Sequence, residues 1–285
     1  MLPNCKSTAL TPRRVKAYLN WLTERERSRS TLAKYRRDLA SLQSFLAGRP
    51  LTKTALLAWK NQLSEHYAPA TVNSMLAAVN GYLVYARLPH LRLRPLRIQR
   101  QVFCRQDREL NKSEYLRLVQ AARRRGDVRL ALVLQTICAT GIRVSELQYI
   151  TAQAVEQGYA EVNNKGKRRT IFLPRKLCRA LQRYLTKQKK PAGPVFTTRT
   201  GQPLDRSNIW RAMKSLCHTA GVGTRKVFPH NLRHLFARTY YAAQHDLVRL
   251  ADLLGHASTA TTRIYTMESG LIHARQIEQL GLLVT

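Results

Sequence analysis

The sequence predicts a mainly helical α+β fold in two domains, on three observations. Apolar residues recur at helical spacing through most of the chain, only two short runs read clearly as β, and a stretch rich in Pro and Arg interrupts the pattern near residue 90. The expected division is a four-helix bundle over 1–88, a basic linker over 89–105, and a larger helical domain with a small β-sheet over 106–285.

In the first domain, Thr11-Pro12 reads as an N-cap followed by proline at N1, and Val15, Tyr18, Leu19 and Leu22 then share one helical face. Leu32, Tyr35, Leu39, Leu42 and Leu46 form a second stripe, with Gly48 at the C′ position that ends it. Leu56, Leu57 and Leu63 mark a third helix, and Val72, Met75, Leu76, Val79 and Leu83 a fourth that begins after Ala68-Pro69. These stripes are the expected core, which leaves Arg13, Arg14, Lys16, Lys34, Arg36 and Arg37 on the outer face. In the linker, Pro89 and Pro95 oppose regular structure and arginines, Arg92, Arg94 and Arg97 among them, recur every two or three residues. That composition fits a strap lying along a phosphate backbone.

In the second domain, Asn111 or Ser113 can cap a helix that runs to about Arg125. Residues 128–139 are almost wholly apolar and should form a buried helix, ended by Thr140-Gly141, with Arg143 opening the next element. Residues 159–162 and 170–173 are β-rich runs flanking NNKGKRR, the pattern of a hairpin. Helices are expected at 175–187 and 207–220, with a further short strand at 194–197. The last third is helical, with Pro229 starting one helix and Gly255 ending another.

Composition limits the partner. Lys plus Arg number 49 against 16 Asp plus Glu, a formal charge of +33. The excess is shared, +14 over residues 1–103 and +19 over 104–285, so both domains should face a polyanion. Charge alone does not separate DNA from RNA or an anionic membrane surface. Cys5, Cys104, Cys138, Cys178 and Cys217 are odd in number and scattered, which argues against a disulfide framework or a cysteine zinc site and fits a reducing cytoplasm. No apolar run approaches the roughly 18 residues that span a bilayer, and the start MLPNCKSTAL lacks a signal-peptide layout, so no membrane partner is expected.

The chemistry-bearing residues sit late in the chain. PHNLRH places His230 and Arg233 three apart, LLGHAS places His256 23 residues beyond Arg233, and RIYTM places Tyr265 nine further on. ATGIRVSEL adds Arg143 upstream. Together they are what phosphodiester cleavage by side chains requires. Two guanidiniums can hold one phosphate by its oxygens, imidazoles can move protons, and a phenol can attack. A tyrosine at its ordinary pKa is ionised only about once in a thousand at neutral pH, so it needs a base and a positive field. The departing 5′ oxygen needs a proton, for which Lys165 at the hairpin tip is a suitable donor, with Lys167 open as an alternative. Each residue alone has an ordinary explanation. His230 and His234 have i, i+4 spacing that also suits zinc, but no acidic third ligand lies nearby and Arg233 would face the metal, so no metal is expected.

These motifs resemble those of the tyrosine recombinase (phage integrase) family, near its Xer-type and transposon-borne branch. ATGIRVSEL resembles the first arginine box, HNLRH the H-x-x-R box, and LLGHAS with TTRIYT the third box and the nucleophile. The resemblance covers nearly the whole chain. It implies an N-terminal four-helix core-binding (SAM-like) domain, a C-terminal catalytic domain, and six active-site residues: Arg143, Lys165, His230, Arg233, His256 and the nucleophile Tyr265. It prefers Lys165 to Lys167 because the hairpin lysine of this branch precedes a glycine, and it gives Glu146 as a carboxylate orienting the first arginine. The implied reaction cuts and rejoins DNA through a 3′-phosphotyrosine without cofactors, on paired recombination sites in double-stranded DNA, within a homo-tetramer. The segment LIHARQIEQLGLLVT, with Leu271, Ile272, Ile277 and Leu280 at helical spacing, is then expected to dock on a neighbouring protomer. Because the bundle begins within about ten residues of Met1, no arm-site-binding domain is expected. Arg13, Arg14, Lys34, Arg36, Arg37, Arg92, Arg94, Arg97, Lys167 and Arg168 are the expected DNA contacts. The rival readings are a type IB-like topoisomerase and a DNA-binding regulator without enzymatic activity.

Overall fold

The structure, a computed structural model, describes residues 9–98, 108–164, 167–198, 200–256, 258–262, 265 and 278–279. It separates into two compact units, Met1–Arg100 and Gln101–Thr285.

The first unit holds α1 (Pro12–Glu24), α2 (Arg29–Leu46), α3 (Lys53–His66) and α4 (Pro69–Tyr85). Thr11, Ser28 and Thr52 cap the first three, each accepting from a backbone N–H of the opening turn. Tyr18, Leu39, Leu42, Leu56, Trp59, Leu76 and Leu83 are buried at the centre. The third stripe differs from the sequence expectation, because Leu57 is 43% exposed and Trp59 is buried. At 100° per residue Leu56, Trp59 and Leu63 share a face, whereas Leu57 is turned away from it.

The expected basic linker is, over 89–98, docked on its own bundle. After a 3-10 turn at Pro89–Leu91 the chain runs extended, with Leu91 and Leu93 buried and Arg92, Arg94 and Arg97 exposed. Two asparagines of α4 take the place of a neighbouring strand. Asn80 Nδ2 donates to Leu93 O at 2.8 Å while its Oδ1 accepts from Leu93 N at 2.9 Å. Asn73 repeats the pattern on Leu96 at 2.9 and 2.7 Å. Alternation along an extended chain explains why leucines face inward and arginines outward. Residues 99–105 of the expected linker lie outside the described residues.

The second unit is built around α6 (Val128–Thr140), which packs against α5 (Lys112–Arg124), against α8 (Arg175–Lys187) and against α11 (Pro229–Gln244). Leu130, Val133, Leu134 and Ile137 of α6 are buried, as its apolar run requires. Asn111 and Glu114 close a capping box on α5. A 3-10 turn at Val144–Tyr149 and a short α7 (Ala152–Gln157) lead to β1 (Tyr159–Asn164) and β2 (Lys167–Phe172). The two strands are antiparallel, with Tyr159 opposite Phe172 and Asn164 opposite Lys167. The helix expected at 207–220 is two, α9 (Arg206–Ser215) and α10 (Cys217–Ala220). The expected strand at 194–197 is only a pair of isolated bridges, Thr151 with Pro194 and Thr197 with Pro203. Prolines at both bridges cannot donate to a ladder, so pairing stops there. The chain then reaches α12 (Leu247–Leu254) and α13 (Thr259–Thr262). Among the described residues no helix is long and apolar enough to cross a membrane.

Candidate active site

The site is assembled at helix ends. Gly141 ends α6 at φ 66°, and an added Cβ would lie 2.5 Å from the Phe236 ring, so only glycine fits. That turn places Arg143 at the start of the 3-10 turn, where Glu146 receives the Arg143 backbone N–H at 3.0 Å and its Nη1 at 2.9 Å. Arg143 Nη2 donates to Gly255 O at 3.2 Å, and the side chain stays 34% exposed.

Arg233 on α11 is only 1% exposed. Burying a guanidinium is costly unless its donors are satisfied. Here Nη1 donates to Gly141 O and Nη2 to Leu254 O at 2.7 Å. These acceptors are the terminal carbonyls of α6 and α12, the negative ends of two helix dipoles. Arg233 Nη2 also lies 3.1 Å from His256 Nε2, and His256 Nδ1 lies 2.8 Å from Thr262 Oγ1. An arginine N–H can only donate, so Nε2 accepts, and the ring proton therefore sits on Nδ1 and is given to Thr262.

Tyr265 is 4% exposed, packed with Ala237, Leu250 and Leu254, and lies close enough to Arg233 for the two to interact electrostatically. The His256 ring stacks beside it at 5.9 Å, and the His234 ring meets it edge-on at 4.8 Å. His230, one turn before His234, lies 4.5 Å from that ring. Burial and then Arg143 pull the Arg233 guanidinium down to about 10, which leaves it charged at neutral pH. Burial and the neighbouring arginines lower His256 to about 4, and burial with the neighbouring His230 and Arg233 lowers His234 to about 4. Burial, Arg233 and Arg143 lower His230 as well. Neutral imidazoles therefore stand beside two charged guanidiniums, an arrangement able to accept a phenolic proton and hold an anion.

The structure thus brings together Arg143, His230, Arg233, His256 and Tyr265 from four parts of the chain. Lys165 lies outside the described residues, as do Leu271, Ile272, Ile277 and Leu280. Lys167 stands opposite Asn164 in the hairpin register, and Arg168, opposite Asn163, is exposed. In the first unit Arg13, Arg36 and Arg37 are exposed. Lys34 instead pairs with Asp38 at 2.5 Å and donates to Ser74 O at 2.7 Å, and Arg14 donates to Ala9 O at 3.0 Å. Glu146 bridges Arg143 and Arg169. Sequence reasoning overlooked Arg169, Thr262 and the packing of His234 on Tyr265. The alternation of β2, with Arg168 outward and Arg169 inward, is the signal that could have found the first. Among the described residues no group of His, Cys, Asp and Glu suited to a metal ion occurs.

Residues 108–270 match the Phage integrase family, and residues 15–88 match the phage integrase N-terminal SAM-like domain. The chain is 28% identical over 263 residues to the tyrosine recombinase XerD of Vibrio cholerae, covering 85% of this chain and 87% of that protein. It is 31% identical over 272 residues to the XerD of Xanthomonas campestris pv. campestris, covering 84% and 82%. Among solved structures, a lambda integrase tetramer bound to a Holliday junction is similar at a TM-score of 0.73 and 20% identity, over 91% of this chain and 78% of that one.

Proposed function

The chain belongs to the phage integrase family of tyrosine recombinases, and from that premise we propose which of its side chains perform each part of the reaction. The protein is a site-specific recombinase, an enzyme that cuts and rejoins DNA strands. Tyr265 is the nucleophile. Its oxygen attacks a scissile phosphorus, the bond to the 5′ oxygen breaks, and a 3′-phosphotyrosine forms. Arg143 and Arg233 hold the non-bridging oxygens as charge builds on them, a role in which one lost donor costs on the order of a hundredfold or more in rate. His256, with Nε2 free to accept once a phosphate draws the Arg233 donor away, takes the phenolic proton. His230 adds a second neutral imidazole to the phosphate pocket. Lys165 gives the 5′ oxygen its proton. The 5′ hydroxyl of a partner strand then attacks the phosphotyrosine, so like bonds are exchanged and no nucleotide cofactor is called for.

The observation that carries this reading is the meeting of Arg233, His256 and Tyr265, Arg233 within hydrogen-bond range of His256 and the His256 ring stacked on Tyr265, with Arg143 held on Gly255 O immediately before His256. The substrate is double-stranded DNA with paired recombination sites, and the working form is a homo-tetramer, as in the lambda integrase tetramer bound to a Holliday junction. The outcome is integration, excision or inversion of a DNA element; the charge of +33 fits the DNA and the scattered cysteines fit a reducing cytoplasm. Exposed arginines on α1, on α2 and along 92–97 follow the DNA backbone, with Arg168 beside the cut.

The test is covalent trapping on a nicked suicide duplex. Wild type accumulates a protein–DNA adduct, whereas Tyr265→Phe binds the duplex and forms none. An adduct in Tyr265→Phe at the wild-type level moves the nucleophile elsewhere.

A further inference from the structure

Arg169 is a largely buried cation that the reaction above does not use. It sits in β2, four residues beyond Lys165, and its side chain is 12% exposed. Its Nη2 pairs with Glu146 Oε2, and its Nη1 donates to Leu253 O at 2.7 Å. Glu146 is 2% exposed at its side chain, and its two oxygens serve both arginines, Oε1 taking Arg143 Nη1 and Oε2 taking Arg169. Burial alone would raise this carboxyl, but the Arg143 backbone N–H and the Arg169 and Arg143 charges outweigh it and hold the group below the ordinary carboxylate range. Glu146 is therefore an anion with two cationic partners, and removing either leaves a buried charge half-compensated.

The second contact is with the end of α12. A Cβ on Gly255 would fall 2.5 Å from Arg169 Cδ and 3.0 Å from its Nε, and Gly255 itself has φ +63°. The Arg169 stem thus fills the space over the residue immediately before His256. Arg169 on Leu253 O and Arg143 on Gly255 O together hold the terminal carbonyls of this helix. One side chain from the hairpin therefore bears on both the Arg143 turn and the His256 turn.

We propose that Arg169 is a positioning residue for strand cleavage: it fixes the Glu146 carboxylate and the α12 end, and so sets where Arg143 and His256 stand. The inference rests on the roles given to Arg143 and His256 above. Arg169 acts through these two contacts: Nη2 pairs with Glu146, Nη1 donates to Leu253 O, and Nε is buried without a hydrogen-bond partner. Small displacements of catalytic groups are enough to matter, because misplacement by about 1 Å can cost on the order of a hundredfold in rate.

The test uses the full-length protein and the nicked suicide duplex, with the single-turnover rate of adduct formation measured at saturating DNA, the DNA affinity measured separately, and thermal melting as a third readout. Arg169→Lys keeps the charge but lacks the planar fork that reaches Glu146 and Leu253 O together. The expected result is a folded protein with unchanged affinity whose cleavage slows on the order of tenfold to a hundredfold. Glu146→Gln slows cleavage as well, and the double variant is no slower than the slower single one, because both act on the same contact. Wild-type cleavage by Arg169→Lys overturns the proposal, as does additivity in the double variant. Loss of affinity alone makes Arg169 a DNA contact, loss of folding makes it a structural residue, and either overturns it too. Absence of adduct from the wild type, or its persistence in Tyr265→Phe, instead strikes the underlying reading of the site.

Discussion

Both units expose many cations, Arg123, Arg124, Arg168 and Arg175 of the second among them, but the second also buries part of its positive charge. In the first, Arg13, Arg36, Arg37, Arg92, Arg94 and Arg97 stand outside an apolar core of leucines, Tyr18 and Trp59. In the second, Arg233 is buried and Arg169 nearly so, each held by helix-end carbonyls or a shared carboxylate. The difference separates two kinds of electrostatics. Exposed cations act on a phosphate chain one by one, weakly and with strong salt screening. Buried cations lose their water beforehand and act on a single point through low-dielectric surroundings.

Substitutions can break that contrast, and Arg233→Ala should have the largest effect. It removes the proposed phosphate donor and leaves Gly141 O and Leu254 O without this partner. Adduct formation should fall on the order of a hundredfold or more, and melting should drop as well. A variant that melts and cleaves like wild type would place Arg233 among the merely exposed cations.

Gly141→Ala comes next. The new methyl meets the Phe236 ring at 2.5 Å and the backbone φ is 66°, so destabilisation of about 1–3 kcal/mol is expected by denaturant unfolding. Gly126→Ala is the comparison: its φ is 71°, yet nothing lies within 4 Å of the added carbon, so it should cost less.

Acid should weaken the second unit next. His256 and His234 are lowered to about 4 in the folded protein, whereas an unfolded chain takes those protons near 6.5. The unfolded state thus binds more protons throughout that window, and stability should fall as the pH drops from 6.5 through about 4. Thermal melting against pH checks this, and replacing His234 with a neutral side chain should flatten the curve. A curve level between those values would show the rings protonated in the fold.

The smallest effects belong to the exposed cations. Arg92→Ala, Arg94→Ala and Arg97→Ala should each weaken DNA binding evenly across sequences. Each should also reduce the slope of log affinity against log salt by about 0.9, with the cleavage rate at saturating DNA unchanged. An unchanged salt slope would mean that the docked strap faces away from the phosphates.

Much of this was legible in the residues. Proline at N1 after Thr11, the apolar run of α6, and the NNKGKRR turn between two β-rich runs announce their elements locally, since capping, period and turn chemistry are short-range properties. Leu57 was misread because the buried face of this helix is centred on Leu56, Trp59 and Leu63, and Leu57 lies about 100° around from Leu56. The strand expected at 194–197 failed because β-propensity says nothing about whether a partner strand exists. The docked strap was missed because two asparagines, Asn73 and Asn80, supply its hydrogen bonds from another helix, and side-chain amides mimicking a strand leave no periodic signal.

By itself the sequence determined which candidate reacting groups are present and how they are spaced, because residue type fixes which atoms can attack, donate or hold charge. Only the tertiary structure decided which of the many arginines work at the site. Arg169 and Arg168 are neighbours of the same kind, yet one is locked against Glu146 and Leu253 and the other is exposed. Strand alternation puts the two on opposite faces, but which carboxylate and which helix end Arg169 meets depends on residues 23 and 84 positions away, and no local pattern encodes that convergence.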